Sequence, residues 1–192
     1  MIDLSLNEVE TLSTKAARGA GFSWGLAEDI GRAARRIAVE DDNWGVAMLS
    51  LAENAQSFAA PDPARAACWR KGEADKPAER PLCPIRTAAL LLDDPLPASV
   101  LPLTITGVGL PVWLDAMLRR SAMRMARPLG PATRADVVIE RRADIEQPAT
   151  GRRGAIDERT LAALNSFAAR TYVPESERSR VRGAGGGRVD DE

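Results

Sequence analysis

The sequence predicts an α+β fold, in which an N-terminal helical hairpin and a third helix precede a small mixed or antiparallel sheet covered by two helices. Three observations support this fold class. Residues 1–60 contain three apolar stripes at helical spacing, the region after residue 100 contains two strand-like runs, and a proline-rich stretch separates them. We expect a single domain over residues 1–172, divided into a helical subdomain (1–60) and a sheet-containing part (61–172).

The hairpin is predicted from two helices, about residues 6–18 and 24–39. Ser5 and Glu8 have the spacing of a capping box, in which each side chain binds a backbone N–H of the other residue. The tight turn that follows the first helix begins at Gly19, a residue type that commonly ends helices. A third helix is predicted over about 44–58, where large apolar residues recur every three or four positions.

The stretch 61–97 holds seven of the thirteen prolines, which argues against continuous helix and predicts a surface linker or irregular loop. Within it, the apolar run 87–92 is a candidate buried strand. The remaining predicted elements are strands over 101–106 and 136–140 and helices over 112–127 and 157–170. The charged, glycine-rich residues 173–192 are expected to form a flexible tail.

Composition excludes several classes of catalytic site. The chain has no histidine, so it has no Ser-His or Cys-His pair and lacks the commonest transition-metal ligand. Two cysteines are too few for a four-ligand structural zinc site. The acidic pairs at 41–42, 93–94 and 190–191 lack EF-hand spacing, and we interpret them as solvated turn residues. We therefore predict no metal site, and the sequence identifies no cofactor.

The overall charge and hydropathy pattern point to a cytoplasmic protein. The formal net charge of −1 gives no sign of a nucleic-acid or acidic-membrane partner. No run of about 18 apolar residues occurs, and the first residues lack a basic and apolar leader. We expect no membrane association.

Cys83 is the best candidate nucleophile, because prolines on both sides would fix its position and Arg86 could lower its pKa. The alternative is a small, half-buried structural thiol, and the absence of a nearby base in the sequence favours it. Trp24 lies beside Gly25 in the hairpin turn. It is either a packing residue or a partly exposed indole that lines a pocket.

The tail offers a candidate anion site, because a glycine run flanked by arginines can present backbone N–H groups to a phosphate. Its candidate ligand-binding residues are Arg180, Gly183 and Gly185. The run lacks the Lys-Ser/Thr ending of a P-loop and does not lie between a strand and a helix. A flexible tail without a ligand is the alternative.

The hairpin also has the spacing of small, glycine and apolar residues found in DNA-binding helix-turn-helix motifs. Residues 1–40 contain six acidic and five basic side chains, whereas a DNA-binding surface needs a basic stripe to neutralise phosphates. The charge balance therefore argues against DNA binding.

The segments Leu4-Ser-Leu-Asn-Glu-Val-Glu10 and 15–28 resemble the opening of an uncharacterised bacterial family catalogued only as a domain of unknown function. Segments 82–86, 171–174 and 179–187 are similar to its other shared regions. The resemblance implies coverage of nearly the whole chain, but it brings no established activity. The same hairpin is more faintly similar to the N-terminal helices of a family of NAD-dependent malate and lactate dehydrogenases.

These observations predict an accessory or binding protein that acts on a protein partner or a small anionic ligand. We expect Trp24, Cys83, Arg86 and the glycine-rich tail to converge on one surface. The alternative is a histidine-free, small-molecule enzyme that uses Cys83 as nucleophile or carboxylates as acid and base. A helix-turn-helix DNA-binding protein is the third and least favoured alternative.

Overall fold

The computed structural model describes residues 1–41, 43–73, 79–119, 121–127, 133–143 and 153–172. It has the α+β architecture that the sequence predicts, with N-terminal helices followed by small sheets. The helices are α1 (Leu6–Gly19), α2 (Trp24–Glu40), α3 (Trp44–Glu53), α4 (Pro63–Lys71), α5 (Pro84–Asp93), α6 (Pro111–Leu118) and α7 (Glu158–Ala169). The strands are β1 (Ile2–Leu4), β2 (Leu103–Gly109), β3 (Met123–Met125), β4 (Arg134–Arg141) and β5 (Gly154–Ile156).

The hairpin of α1 and α2 forms as predicted. The Ser5 backbone N–H donates to Glu8 Oε2 at 2.7 Å, and the Glu8 N–H donates to Ser5 Oγ at 3.3 Å, so the capping box is complete. The turn between the helices contains Gly21 at a φ of 102°, which a side chain would disfavour. The third predicted helix also forms, as α3, but it ends at Glu53 rather than near residue 58.

The strands form two antiparallel sheets. β1 pairs with β5, and β4 lies between β2 and β3 in a three-stranded sheet. The predicted strands at 101–106 and 136–140 correspond to β2 and β4. The β2–β4 register shifts between Ile105 and Val108, where Gly107 adopts a φ of 69° and donates its N–H to Asp136 Oδ1 at 2.8 Å.

The prediction of an irregular loop over 61–97 is wrong, because the stretch contains α4 and α5. The candidate strand 87–92 lies inside α5. Both helices start with proline, at Pro63 and Pro84, in the first turn where the missing N–H has no intrahelical partner to lose. These prolines therefore begin helices instead of excluding them.

The predicted helix 112–127 is also too long. α6 ends at Leu118, and the Ser121 hydroxyl binds the Leu118 carbonyl at 2.8 Å. The chain then enters β3, where Met123 and Met125 are buried and Arg124 is exposed. This alternation has the period of a strand. It covers only three residues, so in the sequence it is outweighed by the helical pattern that precedes it.

The helices surround one hydrophobic cluster that includes residues from α1, α2, α3, α5, α6 and the three-stranded sheet. α6 contacts α2, α5 and the strands β3 and β4, whereas α7 packs against α1 and α3 rather than covering the sheet. A Cβ at Gly19 would overlap the carbonyl of Phe167, so α1 and α7 approach closely there. None of the helices in the described ranges is both long and apolar enough to cross a membrane.

Candidate functional site

Cys83 is the N-cap residue of α5, and its side chain is buried, with 2% of its surface exposed. Burial raises the pKa of the thiol, because a thiolate is poorly solvated there. The backbone N–H groups of Arg86 and Ile85 and the charge of Arg86 act in the opposite direction. Arg86 thus lowers the pKa of the Cys83 thiol as expected, but burial raises it by more. A protonated, enclosed thiol is a poor nucleophile at neutral pH.

The backbone around Cys83 is fixed on both sides. The Cys83 N–H donates to the Ala59 carbonyl at 2.7 Å, and the Ala59 N–H donates to the Pro81 carbonyl at 2.8 Å. On the other side, Leu82 exchanges hydrogen bonds with Gly107 and Gly109 at the end of β2. The segment therefore joins the α3–α4 connection to the sheet, which is a structural role.

Trp24 occupies the first turn of α2, and 65% of its surface is exposed. The guanidinium carbon of Arg18 lies 4.4 Å from the centroid of its ring, which is cation–π geometry. Arg18 also donates a hydrogen bond from Nη1 to the carbonyl of Phe22. One residue of α1 thus holds both the turn backbone and the exposed indole.

A second exposed aromatic residue lies near the same helix. Tyr172, the only tyrosine, is 63% exposed, and the Lys15 ammonium lies 5.8 Å from its ring centroid. Lys15 and Arg18 are three residues apart, so they project from neighbouring positions on one face of α1. Arg170 stacks on Phe167 at 4.3 Å. We call the set Lys15, Arg18, Trp24, Arg170 and Tyr172 the aromatic–basic surface.

The residues predicted to form one site are brought together only in part. Gln56 Nε2 donates to the Ala20 carbonyl at 3.1 Å in the hairpin turn, and three residues later Ala59 binds the Cys83 segment. The α3–α4 connection therefore lies between the two regions. Among the described contacts, no hydrogen bond, ion pair or ring contact joins Trp24 to Cys83 or Arg86. Arg180, Gly183 and Gly185 lie outside the described residues.

Sequence reasoning missed four members of the aromatic–basic surface, namely Lys15, Arg18, Arg170 and Tyr172. The spacing of Lys15 and Arg18 on the polar face of α1 was the available signal. Contact with Tyr172, 157 residues further along, depends on how α7 packs on α1. A local pattern carries no information about such packing.

The described residues contain no group of three or more cysteine or carboxylate side chains suited to holding a metal ion. Arg86 is exposed at the third position of α5, and in the described contacts its side chain has no hydrogen bond or ion pair. The contacts of Cys83 stabilise the fold, whereas the residues around Trp24 expose aromatic rings with neighbouring cations to solvent. The second arrangement is suited to recognition.

Comparison with known proteins supports the predicted resemblance over the N-terminal helices. A family model described as "Protein of unknown function (DUF3726)" matches residues 4–51. The match covers α1, α2 and most of α3, and it ends before the segments at 82–86 and 171–187. Searches of curated proteins and of solved structures found no match. The resemblance to a family of unknown function is therefore confirmed, and it is to DUF3726 over residues 4–51.

Proposed function

We propose that this chain is a cytoplasmic binding protein that recognises an acidic segment of a protein partner through the aromatic–basic surface. The observation that carries the proposal is the exposure of Trp24, which contacts Arg18 through its ring while 65% of the residue's surface remains exposed. Tryptophan, tyrosine and arginine are the residues most enriched among those that dominate protein–protein binding energy. This surface contains all three.

Trp24 differs from the other tryptophans of the chain, because it does not belong to the hydrophobic cluster. The other three tryptophans, Trp44, Trp69 and Trp113, are each at most 1% exposed and belong to the hydrophobic cluster. Because Trp24 is largely exposed, its burial contributes little to the stability of the monomer. Its rigid ring offers a large contact area to a partner at a small cost in side-chain entropy.

The positive charge of the aromatic–basic surface favours an acidic partner. Lys15, Arg18 and Arg170 carry positive charges next to the aromatic rings, so an acidic segment is electrostatically complementary. Lys15 and Arg18 lie about 4.5 Å apart along the axis of α1, and each contacts a different ring. This spread of contacts suits an extended peptide segment better than a single small anion.

Nucleic acid would also be attracted by cations and aromatic rings. The overall charge of the chain is −1, and the N-terminal 40 residues carry one more acidic than basic side chain. Phosphate binding depends on a sustained basic stripe, so we favour the acidic peptide. The Cys83 enzyme hypothesis is weakened by the burial and the raised pKa of its thiol.

Selection of peptides from a random display library on the full chain tests the proposal. We expect selected peptides to be enriched in Asp and Glu and to bind less tightly as the salt concentration rises. Trp24→Ala and Lys15→Glu should each weaken binding at least about tenfold. Val46→Ala, at an exposed apolar position on α3, and Lys71→Glu, at an exposed lysine on α4, are the matched controls.

The proposal is overturned if the selected peptides lack acidic residues or bind Trp24→Ala as tightly as the wild type. It is also overturned if single-stranded DNA binds the same surface more tightly than the peptides do. A small anion such as citrate that displaces the peptides completely at micromolar concentration would assign the surface to a small ligand instead.

A further inference from the structure

A cleft of about 250 Å³ lies between the end of α5 and the three-stranded sheet, and none of its lining residues belongs to the aromatic–basic surface. Its walls come from Leu92 in α5, from the connection to β2, from the turn before β3, and from Arg141 in β4. The lining side chains in the α5–β2 connection are Pro95, Leu96, Ala98 and Leu101. Apolar side chains thus dominate the cleft, and Leu92 is itself 36% exposed.

The described lining contains two polar side chains, Ser121 and Arg141, and the Ser121 hydroxyl already has hydrogen-bond partners in the protein. The Ser121 hydroxyl lies 2.8 Å from the Leu118 carbonyl and 3.2 Å from the Met123 carbonyl, and it accepts the Met123 N–H at 3.1 Å. Arg141 has no ion pair or side-chain hydrogen bond to the residues that the structure describes. Within the described part of the chain, its positive charge is therefore unpaired and lies beside an apolar wall.

The neighbouring cations already have partners. Arg124 Nη2 lies 2.6 Å from Glu140 Oε1, and Arg142 Nη1 donates to the Arg119 carbonyl at 2.8 Å. On the opposite side, Asp94 is paired with Arg70. Among the described residues that line the cleft, Arg141 is thus the cation available to a ligand, and one guanidinium pairs with one carboxylate through two parallel hydrogen bonds.

We propose that this cleft binds a monocarboxylate with a medium-length apolar chain. Arg141 binds the carboxylate, since a guanidinium presents two parallel N–H donors that match its two oxygens. The chain lies against Leu92, Leu96 and Leu101. The volume is below the range of drug-sized pockets, so the cleft suits a small ligand rather than a long acyl chain. A peptide is a poorer occupant, because its amide groups would need hydrogen-bond partners that the lining side chains do not supply.

Calorimetric titration of the full chain with octanoate tests the assignment, with octanol, octylamine and butyrate as matched ligands. We expect octanoate to bind at least about tenfold more tightly than the uncharged alcohol or the amine. Butyrate should bind more weakly than octanoate because it covers less of the apolar wall. Arg141→Met keeps the apolar stem and should bring octanoate to the affinity of octanol. Arg127→Met, at an exposed arginine near the end of β3, should change nothing.

A second variant separates the cleft from the rest of the surface. Ala98 lies at an exposed position of the lining, so Ala98→Phe should fill the cleft and abolish octanoate binding without unfolding the chain. No binding of octanoate to the folded wild type would overturn the proposal, and so would equal affinity for octanoate and octylamine. Unchanged octanoate binding in Arg141→Met would also overturn it. None of these results depends on the aromatic–basic surface.

Discussion

The hairpin turn around Trp24 and the segment around Cys83 have similar sequences in one respect and opposite structural roles. Each places an unusual side chain among residues that restrict or free the backbone, glycines in the first and prolines in the second. In the structure Trp24 is 65% exposed, whereas Cys83 is 2% exposed and both sides of its segment are hydrogen-bonded. An unusual side chain in a sequence can form a binding or catalytic site only where a ligand can reach it.

The difference arises from which neighbours cover each segment. The Cys83 segment lies between Ala59 and the end of β2, so it forms backbone hydrogen bonds to both. At the hairpin turn, Gln56 binds the Ala20 carbonyl, and the residues at the start of α2, Ser23 to Gly25, are exposed. This contrast predicts measurable differences between the two segments in stability and in solvent accessibility.

Substitutions at the two ends of the hairpin turn should have different effects on stability. Gly19→Ala should lower the free energy of unfolding by about 3 kcal/mol or more, because the new methyl group would overlap the Phe167 carbonyl. Gly25→Ala, next to Trp24, meets no atom within 4 Å and should cost nothing. Urea denaturation of both variants measures the difference. Equal losses would show that the turn is uniformly packed.

The burial of Cys83 should be visible in the pH dependence of stability. The folded thiol has a pKa raised above the ordinary value of 9.0, so folding favours the protonated form. Its contribution is complete below about pH 9 and is lost as pH rises through the raised pKa, by up to about 1.4 kcal/mol per pH unit. Unfolding measured between pH 8 and 10 should show this loss in wild type and Cys68→Ala, but not in Cys83→Ala. An identical fall in Cys83→Ala would contradict the burial of this thiol.

The two helix starts of the hairpin should respond differently to loss of a serine. Ser5→Ala should lower the free energy of unfolding by about 1 kcal/mol, because the Ser5 hydroxyl caps α1. Ser23 is the N-cap residue of α2 but makes no capping hydrogen bond through its side chain, so Ser23→Ala should have a smaller effect. Thermal or urea unfolding of the pair checks this order. A larger loss in Ser23→Ala would place a structural contact in the turn that we interpret as exposed.

Trp24 should contribute least to stability. Trp24→Phe should change the free energy of unfolding by no more than about 0.5 kcal/mol, since the residue is largely exposed. The same substitution should remove the tryptophan fluorescence that iodide quenches in the native protein, because the other three indoles are buried. Iodide quenching that persists in Trp24→Phe would mean that a second tryptophan reaches solvent.

The sequence predicted the parts of the fold that depend on local patterns. The capping box at Ser5 and Glu8, the two hairpin helices and the strands β2 and β4 all formed as expected. Prolines at positions 63 and 84 misled the prediction, because the same residue that breaks a helix interior is favoured at its first position. The strand β3 was missed because three alternating residues follow a strong helical stripe.

The candidate site was less predictable than the fold. Trp24 was selected from its turn, but its neighbours Lys15 and Tyr172 meet only through the packing of α7 on α1. The cleft beside Arg141 joins residues from three distant segments, and none of them was unusual in the sequence. Contacts between residues far apart in the chain are set by the tertiary fold, which local periodicity does not specify.

If Trp24 is a recognition residue, a bound peptide must cover its ring, and iodide quenching during a peptide titration measures that coverage. As a selected acidic peptide saturates the protein, we expect Trp24 to become protected from iodide and Lys15→Glu to shift the titration to at least about tenfold higher peptide concentration. Trp24 that stays fully accessible to iodide at saturating peptide would contradict the account.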